Sequence, residues 1–472
     1  MTERLPKIAA VAVALALLPI MFYLAYSRPY YFSSGFLGGL IVFEFLLLAV
    51  WLYRRIFFVV VMLAFLFAGM DLPLGGIWTS GRWFFLIAGA SIGFFIMLKE
   101  RRLRFGVFHA FAMFAALSAI VSALVSRYPV FAFLKATSLL LLFVYAGTGA
   151  RLAVVGREQR FFSGLLLSCE IFVGAIGTFY FFGIEAMGNP NSLGAVMCIV
   201  APVILWGTLI DAEPLVHHRR LLLYALCTYL LFYSHARAAL AAAALSCALL
   251  CLALHRYKLL GQGVVIVVIL AASAAIFNPA AFSERVSSLK SSVIYKDRDS
   301  SLGVFASRQG PWQGAMDGIH KHFWFGSGFG TTDTGQDASA HLGNFSSNSL
   351  ATAENGTSYL TIISWVGLVG VLPFVALLLA LLHKVMRTIL WMLNTGNPFH
   401  PAVPLAMIVV AGLLHAGFED WLFAPGYYLC VFFWSLAFAL VDLSPWAPLP
   451  SFSGASRPWL IRQGMDGVVP SR

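Results

Sequence analysis

Residues 357–382 read TSYLTIISWVGLVGVLPFVALLLALL, without one charged side chain, and His383, Lys384 and Arg387 follow at once. An α-helix needs about 20 apolar residues to cross a bilayer core of about 30 Å. A run of this kind that ends in cations is a transmembrane helix whose second end faces the cytoplasm. Cutting the rest of the chain at charged or turn-rich breaks gives further runs at 8–26, 36–53, 56–70, 82–98, 105–126, 130–150, 161–183, 191–210, 221–235, 238–255, 259–277, 402–418 and 424–442. The expected fold is all-α, a polytopic membrane protein with about 12–14 transmembrane helices.

Composition agrees. Of 472 residues, 60% are hydrophobic and 11% charged, and mean hydropathy is +0.85; a soluble domain carries roughly 25% charged residues. A disordered chain is excluded by the same numbers. The formal net charge of +11 reflects topology. Most of the 31 Lys and Arg fall in alternate short loops and in both tails, which places the N- and C-termini in the cytoplasm. No compact basic–aromatic module is present, so no nucleic-acid partner is expected. Arg4 and Lys7 precede residues 8–26, read as an uncleaved first span. Cys169, Cys198, Cys227, Cys247, Cys251 and Cys430 all lie in apolar runs and read as packing residues.

The chain then divides into N-terminal spans (1–160), spans carrying Asn-Pro-Asn and His-Ala-Arg motifs (161–277), a large extracytoplasmic loop (278–356), C-terminal spans (357–442) and a cytoplasmic tail (443–472). The loop is rich in Ser, Gly and Asp. Loops this long without function are uncommon. It contains an expected helix at 307–320, then Gly326-Ser-Gly-Phe-Gly330, which reads as a tight turn and not a nucleotide cradle. His320 and His322 are too close in sequence to share a helix face, and no metal site or Walker A motif is expected.

Cations are scarce on the outer side, so each needs a reason. Arg237 stands at the turn between two spans, in Tyr233-Ser-His-Ala-Arg237; Lys135 lies inside the outer end of a span that Arg127 flanks; Arg308 lies in the loop. A charge at membrane depth costs a few kcal/mol, and an anion such as phosphate is one reason to keep it. Snorkelling or an internal ion pair is the other reading for Lys135 and Arg127. Glu44, Glu170, Glu419 and Asp420, with His415, are acids and a histidine in or beside spans. They are the features that favour a transporter or flippase.

Four motifs, in order, resemble the O-antigen ligase and O-antigen polymerase superfamily of bacterial envelope glycosyltransferases. They are Gly188-Asn-Pro-Asn-Ser-Leu-Gly-Ala195; Tyr233-Ser-His-Ala-Arg-Ala-Ala-Leu240; Arg308, Trp312, Ala315, Ile319 and Gly326–Gly330; and Ser358-Tyr-Leu360 with Gly367-Leu-Val-Gly370. The family's His-Asn pair before the Tyr-Leu is replaced here by Gly356 and Thr357, with Glu354 two residues earlier and His341 and His415 as other substitutes.

The resemblance implies transfer of a glycan from a polyprenyl diphosphate to a hydroxyl at the periplasmic face, without metal, nucleotide or other cofactor. The acceptor is lipid A-core for a ligase, or another lipid-linked glycan for a polymerase of O-antigen or exopolysaccharide. Arg237 and Arg308 stabilise the leaving diphosphate, with Lys135 and Arg127 as further diphosphate ligands, and Glu354 is the base. Asn191, Trp312, Tyr359 and His322 position glycan; packing or helix capping is the plain alternative for Asn191, Trp312 and Tyr359. The location implied is the bacterial inner membrane. A transporter or flippase of lipid-linked glycans, or a structural membrane protein, is the competing class. Convergence of Arg237, Arg308 and an acid or histidine from residues 341–359 on one outward-facing cavity separates the enzyme from the structural protein.

Overall fold

A computed structural model describes residues 57–70, 75–100, 105–210, 213–277, 306–331 and 356–445. The expected spans 8–26 and 36–53, Glu44, His341 and the proposed base Glu354 lie outside the described residues. The described chain folds as helices α1 (Phe57–Gly69), α2 (Gly75–Glu100), α3 (Val107–Leu124), α4 (Pro129–Val154, with a π-helical turn at Ala146–Ala150), α5 (Glu158–Phe181), α6 (Pro190–Ile210), α7 (Pro214–Tyr233), α8 (Arg237–Ala253), α9 (Tyr257–Phe277), α10 (Ala306–Lys321), α11 (Ser358–Thr395), α12 (Ala402–Ala416) and α13 (Tyr428–Leu443).

Among the described residues six helices are long and apolar enough to cross a membrane: α2, α3, α4, α5, α6 and α11. The helices α1, α8, α12 and α13 are shorter and apolar. The protein is an all-α, multi-pass membrane protein. Every expected span from 56–70 onward coincides with a helix. The helix α6 is the hub, packed against α5, α7, α8 and α12, with nearly all of its length buried. Small residues make this possible. Ala239, Ala242 and Ala243 of α8 are buried, and a Cβ at Gly194 of α6 would lie 2.6 Å from Ala236 Cβ.

Two charged clusters lock the bundle from inside. Glu170 of α5 accepts from Arg219 Nη2 and from Arg220 Nε, each at 2.7 Å, while Arg220 Nη1 donates to Gly207 O of α6. Glu170 is therefore held in ion pairs with two arginines within the bundle. The cations sit in the second turn of α7, where they lower the hydropathy of that helix. Arg151 of α4 forks onto Asp442 of α13 at 2.6 and 2.7 Å. Replacing one partner of a buried pair strands the other charge. Glu170→Gln is expected to cost on the order of 3 kcal/mol, read as a lower Tm in detergent. Arg219 is 55% exposed and its removal is expected to cost under about 1 kcal/mol.

The span quoted first is not one continuous helix. At Gly367 the backbone turns to φ 70 and ψ −178, and α11 breaks. A break strands carbonyls on one side and N–H groups on the other. The segment after α10 satisfies both sets. Phe323 O and Trp324 O accept from Leu368 N (2.8 Å) and Val369 N (3.2 Å), and Ser327 N and Gly328 N donate to Ser364 O (3.0 Å) and Trp365 O (3.1 Å). Ser122 Oγ of α3 also donates to Trp365 O at 2.6 Å. Gly326 and Gly367 both have positive φ, and a Cβ on either would run into the backbone of the other strand. The expected tight turn is thus a plug that joins the segment after α10 to α11.

Candidate active site

The site lies at the end of the bundle where α6, α8 and α11 begin. Asn189 Oδ1 accepts from Asn191 N at 2.8 Å and Pro190 is the first residue of α6, so the Asn-Pro-Asn motif is a helix start. Its neighbour is the second motif. Ser234 Oγ donates to Leu231 O (2.7 Å) and accepts from Ala236 N (3.3 Å), and His235 takes a positive φ. This tight turn makes Arg237 the first residue of α8.

Arg308 enters from the first turn of α10, and its guanidinium pairs with the carboxylate of Glu419. It lies close enough to Arg237 for the two positive charges to repel. Glu419 is itself held by its backbone: its carbonyl accepts from Ser358 N (3.1 Å) and from Ser358 Oγ (2.6 Å). Thr357 caps α11 through Tyr359 N at 3.4 Å, Tyr359 OH donates to Leu413 O at 2.7 Å, and Trp312 Nε1 reaches Gly356 O at 3.4 Å. Tyr427 feels the Glu419 charge and donates to Ser192 Oγ at 3.4 Å, closing the ring back to α6.

The structure therefore brings Arg237, Arg308, Trp312, Tyr359 and the Asn191 turn to one neighbourhood. It places the other candidates elsewhere. His322 follows the far end of α10, about 20 Å along the helix axis from Arg308. Lys135 Nζ donates to Gly330 O at 2.5 Å and lies 4.4 Å from the Phe131 ring centre. Arg127 lies over Tyr128. Both cations border the broken part of α11. His415, the described substitute for the missing histidine, is 2% exposed and its Nδ1 accepts from Trp421 Nε1 at 2.8 Å. With that lone pair engaged and the proton on Nε2, it is not a base in this arrangement.

Sequence reading missed Glu419 as the partner of Arg308 and missed Tyr427; it placed Ser192 and Ser358 in motifs without giving them a role. It also missed Arg82 of α2, whose Nη1 donates at 2.7 Å to Gly426 O, the residue before Tyr427. The available signal was position: the charge pattern along the sequence puts Arg82 and Glu419 on the side expected to be outer.

The described site has parts that suit an anion: two guanidinium groups close enough for their charges to interact, and the N-termini of several helices, whose dipoles favour negative charge. Residues 222–375 match the family model described as O-antigen ligase. This segment belongs to the O-antigen ligase and polymerase superfamily. No curated protein matches the chain. The O-antigen ligase segment contains Arg237, Arg308, Trp312, Tyr359, the glycine plug and the break in α11, while Asn191, Arg82 and Glu419 lie outside its bounds. The matched segment supports an O-antigen ligase/polymerase-like membrane enzyme, and candidate residues lie on both sides of it.

Proposed function

We propose that this protein is a membrane glycosyltransferase that moves a glycan from a polyprenyl diphosphate onto a hydroxyl of lipid A-core, at the periplasmic face of the bacterial inner membrane. The observation that carries this reading is the approach of Arg237 to Arg308. Two guanidinium groups near one another and near the starts of several helices suit a diphosphate leaving group. A structural role would leave the two arginines apart.

In the reaction, the acceptor oxygen attacks the anomeric carbon and the bond from that carbon to the diphosphate oxygen breaks. The diphosphate leaves with the bonding pair, and its growing negative charge is met by the two guanidinium groups. The acceptor proton passes to a base, for which Glu354 is proposed. Neither metal nor nucleotide has a part in this scheme. Asn191, Trp312 and Tyr359 border the glycan, and both chain termini lie in the cytoplasm.

Purified protein supplied with a polyprenyl-diphosphate-linked oligosaccharide and lipid A-core tests the proposal. Transfer to lipid A-core supports the ligase. Growth of the donor glycan with no added acceptor identifies a polymerase. Folded protein that does neither overturns the enzyme reading and leaves transport of the lipid-linked glycan. Glu419→Gln is expected to lower turnover about tenfold, because a charge-assisted hydrogen bond of roughly 1.5–3 kcal/mol no longer aims Arg308. Initial-rate kinetics on a variant of unchanged Tm check this.

A further inference from the structure

Immediately after α10 come Phe323, Trp324 and Phe325, three consecutive aromatics that are 42%, 60% and 51% exposed. A large apolar group of this kind facing water on a loop marks a contact surface. Their backbone is fixed, since Phe323 O and Trp324 O cap the second half of α11. Their side chains are thus set outward at a defined height.

That height is given by α3. Ser122 Oγ, close to the end of α3 at Leu124, holds Trp365 O at the break, and Ser118 Oγ holds Gly370 O one turn deeper at 2.6 Å. Arg127 follows in the turn beyond α3. The aromatics therefore stand at the level where α3 leaves the bilayer. Beside them, Leu368, Val369 and Leu372 are exposed, and this surface continues along α11 through Val375, Leu379 and Leu382. In a multi-pass protein an exposed aliphatic face on a spanning helix faces lipid, and Trp and its aromatic neighbours are enriched where that face meets headgroups.

We propose that Phe323-Trp324-Phe325 is a membrane anchor of the outer loop: the aromatics insert into the outer-leaflet interface beside α11, with lipid as their partner. The helix α10 then stands between this anchor and Arg308 near its other end, a separation of about 20 Å. Insertion sets how far Arg308 stands above the lipid. The anchor does not depend on the chemistry proposed for the site.

The test uses the full chain in vesicles of phosphatidylethanolamine and phosphatidylglycerol. Trp324→Cys carries a spin label, with Leu372→Cys as the lipid-facing standard, Gln313→Cys as the exposed standard on α10, and the unsubstituted chain as blank for the buried cysteines. Oxygen concentrates in lipid and a nickel chelate in water. The label at 324 is expected to match the one at 372, relaxed by oxygen and shielded from nickel. A match to the label at 313 overturns the anchor. So does shielding from both reagents, which would mean that protein covers the patch. The conservative variant Trp324→Phe supplies a second measurement. Brominated acyl chains are expected to quench the difference in fluorescence between wild type and variant; an unquenched difference sinks the proposal.

Discussion

Glycan transfer is expected to fall by about 10²–10³-fold in Arg237→Ala and in Arg308→Ala, the size of effect seen when a preorganised donor to a developing anion is removed. The two arginines come from different elements, one at the start of α8 and the other in the first turn of α10. A single substitution therefore leaves the other cation in place. Loss in both variants means that the anion needs the pair. Lysine at either position keeps the charge but not the planar fork that grips two phosphate oxygens, and is expected to recover only part of the rate. The Arg308 variant needs one control. Its removal leaves the Glu419 carboxylate unpaired, and a buried unpaired charge is itself damaging. The double variant Arg308→Ala with Glu419→Gln removes that charge. If the double variant regains wild-type transfer, Arg308 served only to neutralise Glu419, and its role at the diphosphate is refuted. If Arg237→Ala transfers normally, the proposed site loses its first cation.

Alanine at Gly326 or Gly367 is expected to destabilise the protein by roughly 2–5 kcal/mol, with left-handed strain of about 1–2 kcal/mol and overpacking of about 1–3 kcal/mol. At both positions φ is positive, and a Cβ would meet backbone atoms of the partner strand, which cannot swing aside as a flexible side chain can. The hydrogen bonds across the break depend on that close approach. Without them the ends of both half-helices of α11 lose partners that lipid cannot replace. Gly310 and Gly314 of α10 are the controls. A Cβ there meets nothing within 4 Å, and alanine is expected to be neutral or to stabilise by up to about 1 kcal/mol. Thermal unfolding in one detergent ranks the variants. Equal Tm values for all of them would show that the plug does not hold α11.

Part of this was open to a reader of the sequence. Residues 307–320 were expected as a helix, and α10 spans Ala306–Lys321. Residues 357–382 were expected to span, and they fall within α11, but α11 breaks at Gly367, continues to Thr395 and stops where Gly396 takes a positive φ. The end of an apolar run reports where the chain leaves lipid; the end of a helix is set by its cap. The arginines were legible as outer-side cations because such charges are costly to place. Lys135 was an outer-side cation by the same criterion, with snorkelling or an internal partner as its other reading, and it donates to the Gly330 carbonyl.

The sequence by itself determined the class of fold and the approximate spans. In lipid each crossing segment must satisfy its own backbone hydrogen bonds, so hydropathy along the chain is enough to find it. It also marked Arg237 and Arg308. Only the tertiary structure decided that these two lie near one another, that Glu419 holds Arg308 from 111 positions away, that Glu170 pairs with Arg219 and Arg220, and that the segment after α10 plugs a broken α11. Ion pairs and close backbone approaches between distant elements depend on how helices pack, and helix packing is set by surfaces that meet in space, not by neighbours in the chain.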